Sequence, residues 1–163
     1  MTALHVNSRL DLAVSHGEWS AIRRQAERLG YAGLIPFVTL AALHLLLRDD
    51  AQQYTGQALV NYGAVIISFL GATHWVAVIS GVSITNAPSR MLFAILPALL
   101  GWTATLVPLI YGLFLILASL GAIYLVDSRW GVFHSWYLTL RRRLTLVASL
   151  SVAVVFISIF RSL

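Results

Sequence analysis

Few side chains in this 163-residue sequence could carry a proton or a charge into apolar surroundings, and His74 is the foremost of them. It sits with Trp75 in the apolar stretch 58–82. An ionisable side chain inside such a stretch is costly to place, which marks it as a functional residue by default. Asp127 and Arg90 stand at ends of apolar stretches, and His134 follows Asp127 closely enough to approach the same place. Together they predict a polar pocket at the mouth of a helix bundle. There His74 would serve as proton carrier or ligand contact, steadied by Asp127 or a hydroxyl. A structural reading competes with this one, in which His74 bonds a hydroxyl or carbonyl of a neighbouring helix and fixes packing.

Other chemistries fit the sequence poorly. His44 and His74 lie on consecutive apolar stretches and invite comparison with axial haem ligands. At the helical rise, however, their depths differ by more than about 10 Å, so no haem is expected between them. No second histidine or carboxylate has zinc-ligand spacing, and no metal or other cofactor is expected. The chain has no cysteine, which removes disulfides, thiolate sites and cysteine nucleophiles. It also lacks a glycine-rich phosphate loop, a serine elbow and a carboxylate pair; Asp49 and Asp50 are adjacent and diverge on any helix. No catalytic residue is assigned, since a lone histidine is a thin constellation for an enzyme.

The elements that must position these residues follow from composition. With 59% hydrophobic and 10% charged residues, and a mean hydropathy of +0.83, the chain is built for lipid. The predicted fold is all-α, a polytopic bundle of five spans at 29–47, 58–82, 91–106, 109–126 and 144–160. Residues 1–28 form a cytoplasmic amino-terminal segment ahead of this transmembrane domain of 29–163. No apolar run precedes Leu29, so no cleavable signal peptide is expected. Ser15 and Glu18 have capping-box spacing, and Trp19, Ile22, Ala26 and Leu29 recur opposite arginines, which predicts an amphipathic helix in the headgroup region. Pro36 should bend the first span. Residues 48–56 read as a polar loop and 85–89 as a turn-prone stretch. Residues 91–126 carry no charge, and Pro108 suggests a reversal near 105–109. The aromatic segment 127–143 reads as an interfacial helix. On the second span Ala64, Ser68 and Ala72, with Gly63 and Gly71 beside them, make a small-residue stripe suited to close helix packing.

Charge supports the odd number of spans. All eleven basic residues are arginine. With five spans nine of them (Arg9, Arg23, Arg24, Arg28, Arg90, Arg129, Arg141, Arg142, Arg143) share one side, against Arg48 and Arg161 on the other. With four spans the split would be six against five. The positive-inside rule therefore predicts an amino terminus in the cytoplasm or its organellar equivalent, and the absence of lysine and of an Arg/Ser-rich presequence points to a bacterial inner membrane, with the carboxyl terminus periplasmic. The arginines occur in short runs between apolar stretches, the pattern of juxtamembrane anchors, so the expected partners are the bilayer, another membrane protein or a second copy, and not nucleic acid.

The segment 29–37, LGYAGLIPF, followed by 62–75, YGAVIISFLGATHW, resembles an uncharacterised family of small multi-span membrane proteins that includes transmembrane protein 69. The likeness covers most of 29–127. It implies a multi-span bundle and no assigned activity. Two functions stand as expectations: a non-enzymatic accessory or assembly factor that docks through the small-residue face of the second span, and a small oligomeric transporter or channel with His74 near its pathway.

Overall fold

The computed structural model describes residues 16–81, 86–130 and 134–161, with side chains from Trp19 onward. Six helices occupy these residues: α1 (His16–Ala32), α2 (Ile35–Leu46), α3 (Asp49–Ile79), α4 (Ala87–Leu106), α5 (Leu109–Trp130) and α6 (Ser135–Phe160). Five helical segments are long and apolar enough to cross a bilayer: Trp19–Leu46, which joins α1 to α2, and then α3, α4, α5 and α6. Helices α2, α3, α5 and α6 pack in a ring, each against the next, and α4 lies outside it against α3 and α5.

Three of the helix boundaries have a clear local cause. Pro36 falls in the first turn of α2, where a missing N–H costs nothing, and the break comes just before it at Gly33 and Leu34. Tyr62 holds that break in place by donating its hydroxyl to the Gly33 carbonyl at 2.9 Å while its ring packs edge-on against Phe37. The reversal between α4 and α5 takes only Val107 and Pro108, with Val107 extended as a residue before proline must be. Asn86 supplies the left-handed turn before α4 (φ 56°), and Pro88 occupies the first turn of that helix.

Three segments differ from their sequence reading, always toward longer helices. Residues 49–56 are not a loop but the first two turns of α3, where Asp49 and Asp50 face the positive end of the helix dipole. Residues 87–89 belong to α4. The segment 127–143 is not one interfacial helix: it comprises the last turn of α5, then the start of α6 at Ser135, which carries Arg141, Arg142 and Arg143 inside the helix. Hydropathy stops a span at its first charge, whereas arginine is a good helix former and its backbone continues regardless. Ser15 and the side chain of Glu18, the expected capping box, lie outside the described residues.

The core repeats with alternating steps of four and three residues on each helix. On α3 it is Val60, Ala64, Ile67, Gly71 and His74; on α4 Arg90, Ala94, Pro97, Gly101 and Ala104; on α5 Leu113, Ile116, Leu120, Ile123 and Asp127. This is the register of helices that interdigitate at shallow angles. Glycines bring the backbones close: a Cβ at Gly71 would stand 2.8 Å from the Ala94 carbonyl oxygen, and one at Gly112 only 2.5 Å from that of Ala104. Only Gly63, Ala64 and Gly71 of the small-residue face of the second span are thus consumed inside the bundle. Gly63 meets Ile116 on α5 and Ala64 meets Gly101 on α4, while Ser68 is half-buried and Ala72 points outward.

Gly112→Ala should lower the thermal midpoint of the detergent-solubilised protein by an amount corresponding to about 1–3 kcal/mol, because backbone cannot yield as a side-chain tip can. Gly121→Ala has nothing within 4 Å of the new methyl group. It should leave the midpoint unchanged or raise it, alanine being the better helix former by about 1 kcal/mol.

Candidate functional site

His74, Arg90, Asp127 and Arg141 meet at one end of the bundle, each placed there by a different helix. His74 is a core position one turn before the end of α3, Asp127 the last core position of α5, Arg90 the first of α4, and Arg141 lies one heptad before buried Ala148 on α6. Because successive helices run in opposite directions, the ends of α3 and α5 and the starts of α4 and α6 share one layer.

The Asp127 carboxylate is the centre of this layer. Its Oδ1 accepts a hydrogen bond from His74 Nε2 at 2.8 Å, and its Oδ2 lies 2.9 Å from Arg141 Nε. An ionised carboxylate only accepts, so Nε2 of His74 carries the proton in this contact. Both the His74 and the Asp127 side chain are fully shielded, and Arg141 nearly so. The second contact is an ion pair whose N–H is not well aimed, and Arg141 extends its reach through Nη1, which donates to the Tyr137 hydroxyl at 3.4 Å. Its remaining nitrogen, Nη2, is buried without a hydrogen-bond partner among the described residues.

Aromatic rings complete the layer. His74, Phe93 and Trp130 form a triangle of edge-to-face contacts with centroid separations of 5.2–5.3 Å. Arg90 lies over the Trp130 ring at 4.8 Å and donates from Nη2 to the Trp130 carbonyl at 3.2 Å, which caps the end of α5. A guanidinium satisfied on an aromatic face and a helix-terminal carbonyl is well placed for the edge of a membrane.

The structure brings His74, Asp127 and Arg90 into one layer, but not the other two residues expected beside them. His134 is exposed just before the first turn of α6, and Trp75 is 39% exposed on the outer side of α3. One residue along a helix turns the side chain by about 100°, which carries Trp75 away from the face that His74 occupies. Arg141, Phe93 and Trp130 take their places. Arg141 reads as the first of three membrane anchors, yet a signal for it exists: positions 141, 148, 152 and 155 share one face, and the last three are apolar.

His44 belongs to a separate arrangement at the far end. Its Nδ1 donates to the Gln52 carbonyl at 2.9 Å while Gln52 Nε2 returns a bond to the His44 carbonyl at 3.1 Å, a reciprocal clasp across the turn from α2 to α3. Gln52 and His74 are 22 residues apart on α3, about 33 Å of helix, so the two imidazoles cannot serve one centre. Among the described residues no group of three histidine or carboxylate side chains is arranged to hold a metal ion.

A helix bundle whose segments are fit to span lipid, locked at one end by a shielded His–Asp–Arg cluster, defines a polytopic membrane protein. Residues 22–157 match the family described as Protein of unknown function (DUF3429), and the chain belongs to that family. It is 35% identical over 132 residues to Transmembrane protein 69 of Xenopus tropicalis, covering 76% of this chain and 50% of that protein. The chain thus spans about half the length of this relative. No solved structure matches it.

Asp127→Ala should cost about 3–5 kcal/mol in detergent unfolding, since it leaves a buried guanidinium without its counter-charge. The double variant Asp127→Leu with Arg141→Met, which removes both charges, should unfold at a higher temperature than Asp127→Ala alone.

Proposed function

We propose that the protein acts without catalysis, as an accessory or assembly component of a membrane complex. The observation that carries this reading is the spending of its ionisable groups. The His74 and Asp127 side chains have no exposed surface, and Asp127 joins α3, α5 and α6 in one contact set. Such groups hold helices in register, and substrate would have to break the cluster to reach them. Partner-facing surface then lies among outward side chains rather than on the glycine-bearing face of α3, which α4 and α5 cover. A second reading rests on the buried His74–Asp127 couple, the kind of pair that relays protons in carriers. Under either reading the arginine asymmetry favours a cytoplasmic amino terminus, and the lysine-free composition a bacterial inner membrane with the carboxyl terminus periplasmic.

On native gels of gently solubilised membranes the chain should migrate in a complex of larger mass. His74→Gln should keep that migration, because glutamine can still donate to Asp127, and removal of the chain should deplete the complex. Purified protein that catalyses proton-coupled flux in proteoliposomes, with the flux lost in His74→Ala, would replace this reading by the carrier. Reporter fusions should place the two termini on opposite sides.

A further inference from the structure

Beside the charged layer the ring of helices is parted by a groove of about 420 Å³. Its walls are apolar: Leu29 and Leu34 before and within the break between α1 and α2, Phe69 and Leu70 on α3, Leu120 on α5, and Leu144 on α6. Leu29 and Phe69 are both about two-thirds exposed, so the groove opens on the outer, lipid-facing surface. Along α6 it runs from Tyr137 to Ala148, eleven residues or about 16 Å of helix. One end is different in kind. Arg141 and Tyr137 line it there, and Arg141 is 3% exposed with its Nη2 lacking a hydrogen-bond partner among the described residues. Further guanidinium groups mark the boundary of α1 and α6 beyond that end: Arg23 lies over the Trp136 ring at 5.5 Å, and Arg143 stands near the Tyr31 hydroxyl.

From this combination we infer that the groove is a binding site for one anionic phospholipid, an acyl chain lying along α6 and the phosphate at Arg141. Three observations converge on that occupant. An apolar trough open to lipid is filled by chain, since leaving it empty forfeits dispersion contacts on every wall. A buried guanidinium with an unused N–H needs an acceptor, and the planar fork of arginine suits phosphate oxygens. Basic residues at the rim add attraction for anionic over zwitterionic headgroups. The inference is independent of the assembly role: lipid occupancy requires no protein partner.

The test uses the full chain purified in mild detergent, with palmitoyl-oleoyl phosphatidylglycerol, the phosphatidylcholine of the same chains, and oleate as probes. Native mass spectrometry should find one phosphatidylglycerol per chain, retained about tenfold better than phosphatidylcholine, a difference that corresponds to about 1.4 kcal/mol. Ala26→Trp, which fills the groove without touching the charged layer, should abolish retention of both phospholipids while the circular dichroism of the helices stays unchanged. Arg141→Lys keeps the charge beside Asp127 but loses the fork, and should reduce the preference to about threefold or less. Equal retention of the two phospholipids, unchanged retention in Ala26→Trp, or preferential uptake of oleate would each overturn the assignment. So would a dimer of the wild-type chain that Ala26→Trp dissociates, because a second copy would then occupy the groove.

Discussion

A carboxylate inside a helix bundle surrounded by hydrocarbon cannot draw on water, and every lone pair it presents must be met by the protein itself. Asp127 imposes that condition here. One oxygen accepts a hydrogen bond from the His74 imidazole and the other faces the Arg141 guanidinium. Because these donors come from α3 and α6, the requirement of one residue on α5 ties three helices together at a fixed height. Arg90 and Phe93 then attach α4 through the Trp130 ring. In lipid the apolar side chains gain little from leaving one solvent for another, so register must come from close packing and from polar contacts such as these.

The two ends of the bundle solve the same problem with different chemistry. At the far end there is no charge to neutralise in the contact: His44 and Gln52 exchange two neutral hydrogen bonds across a short turn, and glycine at position 56 leaves room for the imidazole, 3.2 Å from where a Cβ would stand. At the Asp127 end the contacts are charge-assisted and cross between helices distant in sequence. Breaking the neutral clasp would loosen one turn. Disturbing Asp127 would strand the buried charge of Arg141 and leave the His74 N–H without its acceptor, a far larger penalty. The groove beside α6 lies next to this strong end, so its walls rest on helices whose spacing the ion cluster holds.

The residues that form the polar layer follow the same repeat as the apolar core. His74 continues the series of Val60, Ala64, Ile67 and Gly71; Asp127 continues Leu113, Ile116, Leu120 and Ile123; Arg90 begins the series that ends at Ala104. A polar residue in core register is buried by geometry, whatever its chemistry. Trp75 and His134 show the converse. Both have suitable chemistry and proximity in sequence, and both are off the inward face.

Composition and periodicity alone therefore determined the all-helical, multi-span architecture, the reversal at Val107 and Pro108, and the burial of His74, because each follows from hydropathy or from a local backbone rule. Helix ends were legible only to within two or three turns, since charged residues at 49–50 and 141–143 end an apolar run without ending a helix. Tertiary structure alone decided which member of the arginine run turns inward, that the glycines of α3 serve α4 and α5 and not an outside partner, and that α3 and α6 part to leave a groove. Those outcomes depend on the relative rotation of helices far apart in the chain, and only the packed bundle fixes it.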